Sequence, residues 1–129
     1  MYTILIVEDD AHIRGTLSDV LRMMDYRTLE AAQGDEGLKR ALQELPDLIL
    51  CDAGMPNYDG IWLYQQLQAH VLLHKIPFAM MTAQSLEAIA TAIPNFPVDC
   101  LLIKPFTIER LTHLLSRLLK LGEGHNRQR

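Results

Sequence analysis

Four places in this chain carry side chains from which a reaction could be built, and each follows an apolar run. ILIV at 4–7 ends on three consecutive acids, Glu8, Asp9 and Asp10; DLILC at 47–51 ends on Asp52; FAMM at 78–81 is followed by Thr82, and LLI at 101–103 by Lys104. If the first and third runs are neighbouring strands, their ends lie about 4.8 Å apart. Glu8, Asp9 and Asp52 then crowd one pocket. Two like charges about 4 Å apart repel by roughly 4 kcal/mol at an effective dielectric near 20, so a cluster of three acids calls for a cation. Mg²⁺ suits it, because that ion takes oxygen ligands octahedrally and is commonly held by one or two carboxylates, water and a phosphate oxygen. Asp10 directly precedes a helical pattern beginning near Ala11, and its side chain is of a favoured N-cap type.

The elements that must position these groups are legible from periodicity. Short runs rich in Ile, Leu, Val or Met recur at 3–8, 27–31, 47–52, 76–81 and 100–104, with helix-like segments between them. One helical face carries Ile13, Leu17, Val20, Leu21 and Met24, and another carries Leu38, Ala41, Leu42 and Leu45. Gly34 and Asp35, Pro46, the stretch from Pro56 to Gly60, and Pro77 mark the breaks. Continuous apolar strands joined through helices imply a parallel α/β sheet covered on both faces. Ligands of such sheets bind at the carboxyl ends of the strands, where the acids, the hydroxyl and the ammonium all fall.

The 129 residues fit one domain. A net charge of −4 removes the basic footprint of a nucleic-acid binder, and no apolar run is long enough to span a bilayer; a soluble cytoplasmic protein is expected. Cys51 and Cys100 sit in or beside apolar runs and read as reduced core residues. The five histidines show no zinc-site pattern.

VEDD, DAGMPNYDG, MTAQ and KPF, in this order and at these separations, closely resemble the receiver domain of bacterial two-component response regulators, from about Thr3 to Leu121. The resemblance implies a flavodoxin-like, doubly wound five-stranded sheet of order 2-1-3-4-5. It implies that Asp52 accepts a phosphoryl group from a sensor histidine kinase or a histidine phosphotransfer protein. Glu8, Asp9, Asp52 and the backbone carbonyl of Gly54 would hold Mg²⁺, Thr82 and Lys104 would contact the phosphoryl oxygens, and Ala83 would leave them space. The bond from Lys104 to Pro105 would be cis. The chemistry is consistent with this: a carboxylate can form an acyl phosphate, and phosphoryl transfer needs chiefly positioning and charge neutralisation.

Leu101 departs from the family pattern, which usually has Tyr or Phe three residues before the lysine. Pro94 and Pro97 foretell a short fourth helix. The last helix, about 107–121, carries Ile108, Leu111, Leu114, Leu115, Leu118, Leu119 and Leu121 over an arc of roughly 160°, wider than one buried stripe needs. Leu114 and Leu121 at its edge are candidates for a partner surface, a phosphorylation-dependent homodimer included. Residues 1–121 form the receiver in this reading, and 122–129 a tail or the start of a linker; effector and cognate kinase stay open. Two rivals share features of the site. A haloacid-dehalogenase phosphatase also uses an aspartyl nucleophile but needs a second Asp where Gly54 stands. A flavodoxin-type FMN binder needs a Ser/Thr/Gly-rich loop where the three acids stand.

Overall fold

The computed structural model describes the backbone of residues 1–127 and the side chains of residues 1–120. Its elements alternate: β1 (Thr3–Val7), α1 (Ala11–Met23), β2 (Arg27–Ala31), α2 (Gly34–Glu44), β3 (Leu48–Asp52), α3 (Gly60–Gln68), β4 (Phe78–Thr82), α4 (Leu86–Ala92), β5 (Leu101–Ile103) and α5 (Ile108–Arg127). The strands form one parallel sheet in the order β2-β1-β3-β4-β5. This is the doubly wound, flavodoxin-like order expected from the sequence.

Strand alternation divides the core between the two faces. Ile4 and Ile6 of β1 and Leu48 and Leu50 of β3 point to the side of α1 and α5, where they meet Leu17, Leu21 and the leucines of α5. Leu5, Val7, Ile49 and Cys51 point to the other side, against Ala41 of α2, Leu63 and Leu67 of α3 and Ile89 of α4. Because the central strands are covered twice, β3 and β4 are buried at every residue. Each fully buried Leu or Ile contributes about 1.5 to 3 kcal/mol relative to an exposed one.

Three apolar faces differ from the periodic reading. The buried stripe of α2 is Gly34, Gly37 and Ala41 rather than its leucines; Leu42 and Leu45 are exposed. A Cβ on Gly37 would lie 3.0 Å from a Val7 methyl, so α2 approaches β1 too closely for a larger residue. In α1, Leu17 and Leu21 are buried while Ile13, in the first turn, is 40 % exposed. In α5, Leu114 is a core residue, 5 % exposed and packed with Ile4, Leu50 and Leu102. From Leu111 to Leu119 the leucines of the arc are therefore spent on the core, which corrects the partner-surface reading of Leu114. The side chain of Leu121 lies outside the described residues, and Ile108 is exposed.

The short fourth helix is present: Ser85 accepts from the Ala88 N–H to start it, and it ends at Ile93, just before Pro94. Cys51 and Cys100 are free, the first buried and the second half-buried. No helix among the described residues is long and apolar enough to cross a membrane.

Candidate functional site

The site grows out of strand ends. Asp52 is the last residue of β3; its Oδ1 accepts from the Gly54 N–H at 3.1 Å, and its Oδ2 lies 3.2 Å from Lys104 Nζ. Glu8 follows β1 directly and is buried, its backbone N–H bonded to the Ala31 carbonyl of β2. One of its carboxylate oxygens accepts from the Asp10 N–H at 3.3 Å. The other, Oε2, is buried without a hydrogen bond and stands 3.6 Å from Lys104 Nζ. Asp9 is exposed at the rim. One carboxylate oxygen each from Glu8, Asp9 and Asp52 lie within 4.8 Å of one another.

Asp10 takes a different job, as its position before α1 suggested: Oδ1 accepts from the N–H groups of His12 and Ile13. The N-cap keeps this carboxylate out of the cluster. Thr82 ends β4 one residue beyond Met81, which pairs with Asp52. It is buried, and its Oγ1 accepts from the Gln84 N–H at 2.8 Å. The Lys104 N–H bonds to the Thr82 carbonyl, and the Lys104–Pro105 bond is cis, as the resemblance implied. Glu8, Asp9, Asp52 and Lys104 thus converge, Gly54 is bonded to Asp52, and Thr82 closes the neighbouring strand.

Charge follows from burial. Loss of water around Glu8 and, next, the Asp52 carboxylate beside it push the Glu8 carboxyl up to about 7, while Lys104 and the Asp10 N–H pull the other way. An unpartnered buried carboxylate oxygen facing two further acids is a suitable setting for a hard divalent cation, whose preferred donors are oxygens. The donor set fits Mg²⁺.

Two glycines make this packing possible. A Cβ on Gly60 would sit 2.5 Å from the Asp52 carbonyl oxygen, and one on Gly34 would sit 2.6 Å from that of Tyr58. Both hold the loop after Asp52 tightly against the sheet and α2, the second through a Gly34 N–H bond to Tyr58 of 2.7 Å. Asp59 then caps α3 through the Trp62 N–H. Sequence reasoning missed Arg14, whose Nη1 donates to the Glu8 backbone carbonyl at 2.8 Å and whose Nε meets Glu30 at 3.2 Å. Nothing in the local pattern distinguishes it from a solvated helix arginine.

Residues 4–116 match the response regulator receiver domain family. The chain is 31% identical over 109 residues to a probable chemotaxis protein CheY of Rhizobium etli, covering 84% of each. It is 34% identical to the phosphate regulon transcriptional regulatory protein PhoB of Pseudomonas aeruginosa, across 92% of this chain and 52% of that protein. Similar figures hold for the DNA-binding dual master transcriptional regulator RpaA of Synechocystis: 35% identity, 93% and 50%. The chain thus spans about half the length of these two transcriptional regulators. Among solved structures, the chemotaxis protein CheY4 of Vibrio cholerae is similar with a TM-score of 0.80, 29% identity and coverage of 92% of this chain and 98% of that one. A CheY-like receiver domain protein from Methanospirillum hungatei gives 0.85 at 26% identity, with 97% and 98% covered. With the fold, the strand-end constellation and the family match in agreement, this chain belongs to the receiver domains of two-component response regulators.

Proposed function

We propose that Asp52 is the phosphoacceptor of this receiver, and that Glu8, Asp9, Asp52 and the Gly54 carbonyl hold the Mg²⁺ the reaction needs. The observation that carries the reading is Lys104 Nζ, which reaches Asp52 and Glu8 together from the far edge of the sheet. An Asp52 carboxylate oxygen attacks the phosphorus of a phosphohistidine on a sensor kinase or phosphotransfer protein. A P–O bond forms, the P–N bond breaks, and the donor imidazole leaves with the electron pair. Lys104 stays protonated and turns its charge to the transferred oxygens. Thr82, whose Oγ1 accepts from the Gln84 N–H, donates its hydroxyl hydrogen to a phosphoryl oxygen. Bound Mg²⁺ supplies the remaining neutralisation of phosphoryl charge.

Hydrogen bonds to charged groups are worth about 1.5 to 3 kcal/mol each, so two such contacts contribute roughly 3 to 6 kcal/mol gross. Inverting a 1:99 equilibrium needs about 5.5 kcal/mol. The transfer therefore shifts the balance of two conformations rather than locking one. The chain acts as a phosphoacceptor module in the cytoplasm, not as a turnover enzyme. Gly54 leaves it without the second aspartate of a haloacid-dehalogenase phosphatase. Residues 1–121 constitute the module and 122–129 its tail or linker, into which α5 runs on as far as Arg127 rather than ending near 121, and the output passes to an effector domain or a partner protein.

Acetyl phosphate with Mg²⁺ labels the wild-type chain at Asp52, and omission of Mg²⁺ or the change Asp52→Asn abolishes the label. Equal labelling of Asp52→Asn, read by intact mass and peptide mapping, rejects the assignment.

A further inference from the structure

We propose that Arg14 is a positioning residue for the metal site: by bridging Glu30 of β2 and the backbone carbonyl of Glu8, it sets the peptide from which Glu8 and Asp9 hang. The inference rests on the reading of these acids as Mg²⁺ ligands. The link from β1 to α1 is only three residues, Glu8 to Asp10. Its first amide is tied to β2 through the Ala31 carbonyl, and its last side chain is committed to capping α1. What is left is the Glu8 carbonyl, whose direction is set by the same torsions that fix how the Glu8 and Asp9 side chains stand relative to one another. This carbonyl is the group that Arg14 Nη1 holds at 2.8 Å.

A guanidinium suits this task because its donors are coplanar and fixed relative to one another. With Nε on Glu30 at 3.2 Å, the fork cannot rotate without losing one bond. Glu30 itself stands on β2 opposite Ile6, two residues before Glu8, so the strut is anchored in the sheet. The side chain of Arg14 is only 20% exposed, which limits screening of the bridge.

Charge alone makes the opposite prediction for one of the two partners. Removing a cation near the acids tightens Mg²⁺, and removing an anion weakens it. Loss of a strut weakens Mg²⁺ in both cases, and the two losses do not add. The test is a titration of the metal-free chain with Mg²⁺ alone, followed by the amide resonances of Asp9 and Gly54, on wild type, Arg14→Met, Glu30→Met and the double variant. Melting of the metal-free proteins is measured in parallel. Loss of a group that orients a metal ligand costs about ten-fold or more in affinity. Both single variants are expected to weaken Mg²⁺ by about that factor, and the double variant to weaken it no further.

Mg²⁺ binding by Arg14→Met as tight as wild type or tighter overturns the proposal, as does a fall in melting temperature with unchanged Mg²⁺ affinity. Should Arg14→Met fail to fold, Glu30→Met and Glu30→Gln decide together: both remove the charge of this partly exposed residue, but the Gln amide oxygen still accepts from Arg14 Nε, so unchanged Mg²⁺ affinity in Glu30→Met, or equal weakening by the two, rejects the strut. A wild-type chain whose Asp9 and Gly54 resonances ignore Mg²⁺ removes the metal reading and this inference together, whereas wild-type binding with unaffected variants removes the inference only.

Discussion

Helices α4 and α5 both flank β5 in sequence, yet they are built to opposite ends. In α5 the residues Leu111, Leu114, Leu115, Leu118 and Leu119 are all buried against one face of the sheet. In α4, seven residues long, Ile89 is the buried one, and a single Ser85 cap starts the helix. Segments of a fold open locally in proportion to how little apolar surface ties them down, and a helix this short has little stability of its own. The contrast places the fixed and the yielding parts on either side of Lys104. Helix α4 also starts close to the site, since Gln84, whose N–H donates to the Thr82 hydroxyl, is followed directly by the cap Ser85. Leu101 is buried on the α4 side of the sheet and has no ring to swing. The direct covalent link from Thr82 to α4 is the backbone of residues 82–85.

The contrast breaks most visibly at Leu114. Leu114→Arg puts an unpaired charge into the leucine layer and is expected to cost about 4 kcal/mol or more, so that urea unfolding finds little or no native baseline. A wild-type urea midpoint would return Leu114 to the surface and erase the difference between the helices.

Between the two helices, Glu8 offers a test by pH. In the metal-free protein its carboxyl titrates near 7 against 4.5 in the unfolded chain, with Asp52, Asp9 and Lys104 around it. The folded state holds the extra proton between those values, so this contribution is complete below pH 4.5 and is lost as pH rises through 7. Relative to Glu8→Gln, wild type in EDTA is expected to lose on the order of 2 to 3 kcal/mol between pH 5 and 8. Saturating Mg²⁺ should offset the loss at the upper end. Parallel stability curves for the two proteins in EDTA would show that Glu8 is solvated rather than buried.

The smallest effect belongs to α4. Ser85→Ala removes the cap at a cost of about 1 kcal/mol, felt as faster hydrogen exchange of the α4 amides with the α5 amides unchanged. Equal acceleration in both helices would mean that they open as one unit, and the comparison would fail.

The strands and the acids were legible because their signals are local. A run such as ILIV followed by carboxylates fixes both a doubly covered strand and what stands at its end, and the ordered motifs then carry the sheet order. Leu114 was misread because an arc of leucines reports the width of a buried face and not what covers it; here the sheet and α1 take Leu111, Leu114, Leu115, Leu118 and Leu119. Leu42 and Leu45 were misread for the converse reason: α2 lies so close to β1 that its contact stripe is glycine and alanine, residues that an apolar periodicity discounts. Arg14 was invisible, since its partners are a backbone carbonyl and a side chain on another strand. A bond of that kind exists only once the chain has folded.

Cys51 adjoins Asp52, and its thiol, wholly buried, points back to the Asp52 carbonyl at 3.4 Å. Burial, reinforced by the negative charges of Asp52 and Glu8, pushes this thiol well above its ordinary range. Burial does the same, less strongly, to Cys100. Peroxide, nitrosating agents and alkylating electrophiles act on exposed thiolates, and this fold presents neither sulfur in that form. The thiol beside the carboxylate that takes the proposed covalent mark is thus kept out of oxidant chemistry first by burial and then by the acids gathered around that carboxylate.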